Sequence, residues 1–145
     1  MPSIEWRHSR RQLLLPVVIL SAPDDPNPFL TLHTVGLLDT GATGSAFHPR
    51  VIDTLGLQRR GRRRVGTANG IIVAAEVNAR IGFPTGDSGD QRLSSDPQRL
   101  YVLEEGLLAF ELLASFDHDV LIGMDVIGQC DLHIRRDETA TLTLP

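Results

Sequence analysis

Asn69-Gly70 separates two runs of strand-forming residues, Arg62–Ala68 and Ile71–Ile81. An Asn-Gly pair between such runs is the strongest short hairpin signal, because both residues tolerate positive φ. The remaining pattern is also mostly β. Leu13–Leu20 is apolar and β-branched and suits a buried strand, with Pro16 at its edge or at a bulge. Phe29–Leu38 alternates in part, with Leu30, Leu32 and Thr34 on one side. Leu100–Leu103, Leu107–Ser115 and Val120–Ile122 read as further strands, although Leu107–Leu113 also fits a helix. Asp131–Ile134 and Thr139–Leu144 predict a terminal hairpin around Arg135-Arg136-Asp137-Glu138. Helical spacing is confined to Pro49–Leu57, where Pro49 suits the first turn and Gly56 the end, and to a turn over Met124–Gly128. Asp24-Asp25-Pro26-Asn27-Pro28 is a turn by its chemistry, and Pro84–Gln98, rich in Gly, Ser, Asp and Pro, is a long loop.

A chain of 145 residues without internal repeats predicts a single domain over residues 1–145. Apolar content of 41% and a formal charge of −4 place it among ordinary globular proteins, with no global pull toward nucleic acid or membrane. All 14 basic residues are Arg, for which we have no physical account. The single Cys130 excludes an intrachain disulfide. No apolar stretch approaches the ~20 residues that span a bilayer. Arg7, Arg10 and Arg11 ahead of Leu13–Leu20 imitate an export signal, but Pro16 interrupts the apolar run and no small-x-small site follows. A first strand and a cytoplasmic location are favoured over export.

Chemistry is concentrated at Asp39-Thr40-Gly41. The apolar run Val35-Gly36-Leu37-Leu38 delivers a carboxylate into a tight turn, and Ala42-Thr43-Gly44-Ser45 follows it. Nothing like it is repeated in the chain. Leu37-Leu38-Asp39-Thr40-Gly41-Ala42-Thr43 resembles the active-site motif of retroviral-type aspartic proteases, the retropepsin-like family. A tripeptide alone is weak, but three features follow in the family's order. These are the helix-like Pro49–Leu57, the Thr67-Ala68-Asn69-Gly70 hairpin where the family carries its flap, and Asp119-Val120-Leu121-Ile122-Gly123-Met124-Asp125, which looks like its second signature. The resemblance covers about residues 35–75 and 119–132 and is nearer to cellular and bacterial members than to viral ones.

This resemblance implies an all-β fold, a closed β-barrel forming one half of an acid protease, with a flap hairpin and one or two short helices. It implies an aspartic endopeptidase in which Asp39 from each of two identical chains shares one water across a two-fold axis. Thr40 would hydrogen-bond across that axis, Gly41 would lie beside the substrate backbone, and Ala42 would line the cleft floor. Thr67, Ala68, Asn69, Gly70 and Ile71 would form the substrate-binding flap. Ile122, Gly123 and Asp125, the structural signature, would pack behind the active loop. Leu13–Leu20 and Thr139–Leu144 are candidates for intersubunit strands. The implied partners are a polypeptide substrate and a second copy, with no cofactor and no metal. Viral members often pair an acidic residue past the motif with an Arg after the second-signature Gly; here those positions hold Thr43 and Met124.

Other readings compete. A catalytically inert dimer that binds peptides in the same cleft is the alternative function. Arg59-Arg60-Gly61-Arg62-Arg63-Arg64 invites a nucleic-acid reading, but no aromatic residues interleave, and a solvated basic edge or a patch attracting acidic substrate is favoured. Asp117-His118-Asp119 with His33, His48 and His133 matches no common metal-ligand spacing. Ser45 and His48 as nucleophile and base carry little weight beside Asp39.

Overall fold

The structure, a computed structural model, describes residues 2–85 and 100–145. Among the described residues, eleven strands and two short helices run in the order β1 (Ser3–Arg7), β2 (Leu13–Ser21), β3 (Thr31–Leu38), β4 (Ala46–Phe47), α1 (Pro49–Leu55), β5 (Gly61–Thr67), β6 (Gly70–Pro84), β7 (Leu100–Val102), β8 (Leu107–Glu111), β9 (Val120–Ile122), α2 (Met124–Ile127), β10 (Asp131–Ile134) and β11 (Thr139–Thr143). The all-β expectation holds, and Leu107–Glu111 is a strand, not a helix.

Eight strands form one sheet in the order β2-β3-β9-β4-β8-β6-β5, with β7 added to β6. An additional β2–β6 pairing, Val18↔Gly82 to Ser21↔Ala79, curls the sheet back on itself. Pro16 lies where β2 is paired with β3 alone, so its missing N–H breaks no second ladder. The three-residue β9 is buried throughout and runs parallel to β3 and antiparallel to β4. It therefore reads as an unbroken apolar run, as a strand covered on both faces should.

The second sheet has three strands, β1-β11-β10. Its outer strand β1 lies ahead of the expected first strand. Ile4 and Trp6 point inward against Leu142 and Ala140 while Glu5 and Arg7 face out, a period-two pattern too short to stand out. This sheet corrects one expectation. Thr139–Thr143 is paired on both sides within its own chain, so it has no edge left for a second subunit; the open edges belong to β1 and β10.

Ile4, Trp6, Leu15, Ile19, Phe47, Ile52, Phe83, Ile122 and Leu142 belong to the main core, which joins both sheets and α1. Val51, Ile52 and Leu55 supply the buried face of α1, and its end is the left-handed Gly56, with φ of 62°. The start of α1 is capped by His48, whose Nδ1 accepts from the Arg50 N–H while Nε2 lies 3.0 Å from the Ala114 carbonyl. A smaller apolar cluster of Ala46, Ala74, Phe110, Leu112 and Leu121 lies apart from the main core, with Ala42, Val65 and Phe116 packed on it. Of the expected loop Pro84–Gln98, Pro84 ends β6, and residues 86–98 lie outside the described residues.

Candidate active site

Where β3 ends, the chain turns sharply. The Asp39 N–H donates to the Ile122 carbonyl at 2.9 Å, extending the β3–β9 ladder by one bond, and the Ala42 N–H closes the turn on the Asp39 carbonyl at 3.1 Å. The Gly41 N–H donates to Asp39 Oδ1 at 2.9 Å. A Cβ on Gly41 would stand 3.2 Å from that same oxygen, so a side chain at residue 41 would crowd the carboxylate and push it by a few tenths of an ångström. Among the described residues no other donor reaches the Asp39 carboxylate. Thr40 is exposed, and its hydroxyl makes no hydrogen bond within the described residues.

The loop is fastened from behind by residues 123–125. A Cβ on Gly123 would lie 2.7 Å from the Gly44 carbonyl carbon and oxygen and 2.9 Å from the Ala42 oxygen, so only glycine lets these two backbones touch. The Met124 N–H donates to the Ala42 carbonyl at 2.8 Å, and the Asp125 N–H donates to the Thr43 carbonyl at 3.2 Å. Asp125 then grips Ser45 twice: Oδ2 accepts from the Ser45 N–H at 3.0 Å and Oδ1 from its hydroxyl at 2.7 Å. The Ser45 hydroxyl in turn accepts from the Gly123 N–H at 3.0 Å. Ser45 is fully buried and fully bonded here. A buried, closed network of this kind holds one loop geometry. It ties the loop to residues 123–125, where Thr43 and Met124 could form no ion pair.

In front of the loop lies a cavity of about 910 Å³. Its apolar wall is the smaller core cluster seen from its open side: Phe110, Leu112, Phe116 and Leu121, with Val65 and Ile72 facing them from β5 and β6. Thr67, Ala68 and Asn69 also line it. Gly70 and Ile71 do not. Ile71 pairs with Gly66 and is 64% exposed, whereas its neighbour Ile72 pairs with Val65 and faces the cavity. The hairpin turn also differs from an Asn-Gly turn. Thr67 pairs with Gly70, so the turn residues are Ala68 and Asn69, and of these three only Gly70 has positive φ, at 116°. The Thr67 hydroxyl accepts from the Asn69 N–H at 3.3 Å and donates to the Gly70 carbonyl at 2.7 Å, which seats the turn one residue early.

Arg63 braces the base of this hairpin. Its Nε donates to Glu76 Oε2 at 3.1 Å, its Nη2 donates to the Leu108 carbonyl at 3.1 Å, and its guanidinium lies 5.8 Å from the centre of the Phe110 ring. A second cavity, of about 400 Å³, opens on the other side of Asp39 between residues 8–13 and Ile134.

Asp119, His48 and His118 are engaged elsewhere. Burial pushes the Asp119 carboxyl up, but hydrogen bonds from Thr34 and Arg50 and the charges of Arg50 and His48 more than offset this, leaving it below the ordinary value of 3.8. His118 Nε2 lies 3.3 Å from the Gln12 side-chain nitrogen.

Comparison with known proteins matches the geometry. A family model described as Aspartyl protease matches residues 32–126. A retropepsin-like aspartic protease from Rickettsia conorii superposes with a TM-score of 0.60 at 13% identity, over 98% of this chain and 90% of that one. The retroviral protease-like domain of Ddi1 from Leishmania major is 18% identical over 92% of this chain and 94% of that one, with a TM-score of 0.38. No curated protein matches significantly.

Proposed function

Since the chain belongs to the aspartyl protease family and has the retropepsin-like fold, we propose that it is an aspartic endopeptidase acting as a homodimer. The observation that carries this reading is the Asp39 loop itself. One carboxylate is held at the mouth of a partly apolar cleft, with a single donor and no second acid beside it among the described residues. Hydrolysing a peptide bond without metal or covalent intermediate needs a base on the water and an acid on the carbonyl oxygen. Two carboxylates that share one proton fill both roles, because neighbouring like charges resist double ionisation, and aspartic proteases are the standard example of that sharing. The proton belongs to the pair and not to either Asp39.

This chain supplies one such group, and a two-fold axis beside Asp39 supplies the other. In that arrangement the exposed Thr40 hydroxyl finds its partner across the axis, and the open edges of β1 and β10 are available to the second copy. Ala68 and Asn69 close over an extended substrate, excluding water. Side chains next to the cut enter against Phe110, Leu112 and Leu121.

The test is incubation with a diverse peptide pool from acidic to neutral pH, together with solution mass, for wild type and Asp39→Asn. The wild type is a dimer and cuts, while the variant is a dimer and does not. Peptide binding without turnover, unaffected by Asp39→Asn, would instead make the protein an inert peptide-binding dimer.

A further inference from the structure

Two cavities meet at Asp39, and among the described residues no other carboxylate lines either one. Both are lined by arginines. The larger carries Arg63 and Arg64, the smaller Arg10 and Arg11. These four are not equivalent. Arg63 is neutralised by Glu76 and tied to the Leu108 carbonyl, and Arg10 bonds Glu138 at 3.0 Å. Arg64 and Arg11 have no ion pair or hydrogen bond among the described residues. On a chain of net charge −4, an acid-poor cleft with free guanidiniums is a local reversal of sign. Low-dielectric walls strengthen such a field toward an incoming anion.

We propose that the cleft takes acidic polypeptide segments: a large apolar side chain seats against Phe110, Leu112 and Leu121, and an Asp or Glu nearby meets Arg64 at the rim, where Arg64 pairs with the exposed Val73 on the edge strand β5. Arg64 stands five residues before Asn69 at the hairpin tip, about 16 Å along a strand, so the acidic residue lies within roughly five positions of the cut. A polypeptide is favoured over a nucleic acid because the wall between the arginines is aliphatic as well as aromatic and no row of rings is presented for base stacking. The inference deepens the peptidase reading and rests on it.

The experiment compares cleavage of matched peptides, one series with Glu and one with Gln flanking the same apolar pair, by wild type, Arg64→Ala, Arg64→Glu and Arg62→Ala. Arg62 shares the strand but does not line the cavity. The wild type prefers the Glu series by about two- to fivefold in kcat/KM, as expected for one solvent-accessible charge pair, and the preference shrinks with added salt. Arg64→Ala removes the preference, Arg64→Glu turns it toward a Lys-flanked series, and Arg62→Ala keeps it. Equal cleavage of both series, or a preference that survives Arg64→Ala, overturns the inference while leaving the peptidase reading intact. The same peptides are titrated by fluorescence anisotropy onto Asp39→Asn. If nothing is cut yet the Glu series binds through Arg64, the peptidase reading fails and the inference stands; if nothing is cut or bound, both fail. Oligonucleotide binding that depends on Arg64, without any peptide charge preference, also overturns it.

Discussion

Replacing Gly123 by Ala tests the contact on which the active loop rests. The new Cβ would stand 2.7 Å from the Gly44 backbone and 2.9 Å from the Ala42 oxygen. Ordinary contact begins near 3.4 Å, so the loop must withdraw by about 0.7 Å at its closest point. The atoms in the way are backbone, fixed further by the Met124, Asp125 and Ser45 hydrogen bonds, and cannot swing aside as a side chain could. Overpacking of this kind costs about 1–3 kcal/mol. For a domain of this size that lowers the melting temperature by roughly 3–10 °C. The effect on turnover should be larger, since displacing a reacting group by about 1 Å costs on the order of a hundredfold. Thermal melting gives the first number and kcat on a cleaved peptide the second. A variant that melts and turns over like wild type would refute the claim that residue 123 sets the position of Asp39.

Asp125→Ala removes the acceptor for two buried Ser45 donors and should destabilise by about 2–4 kcal/mol, read by chemical denaturation; Asp125→Asn, which retains an acceptor, should cost less. Asp119→Asn should lower stability at neutral pH, because a carboxyl held below its unfolded value stabilises the fold while ionised. That contribution is complete above the unfolded value and disappears as pH falls through the folded one. The melting curves of variant and wild type should therefore converge in strong acid, and a constant gap at all pH values would contradict the assignment.

The fold class was legible because strand signals recur along the whole chain, as in Leu13–Leu20 and the runs flanking Asn69. What escaped was short or relational. Ser3–Arg7 offers only Ile4 and Trp6 as an inward face, and its pairing to β11 joins the two ends of the chain. The position of the hairpin turn was decided by the Thr67 hydroxyl, which outweighs the preference of Asn-Gly for the turn itself. Of the site, Asp39 stood out by its motif. Ser45 did not, because its role depends on Asp125, 80 residues away, and a Ser near a His first suggests a nucleophile. The cleft wall was hidden in a strand whose alternate residues face opposite ways: Leu107 and Ala109 enter the main core, while Phe110 faces the cleft.

The central claim is that each active unit needs Asp39 from both of two chains. Mixing wild type with increasing Asp39→Asn, under conditions where subunits exchange, tests it directly. If two acids are required, peptide cleavage follows the square of the wild-type fraction at constant total protein. A linear dependence would show that each chain works alone and would contradict the account.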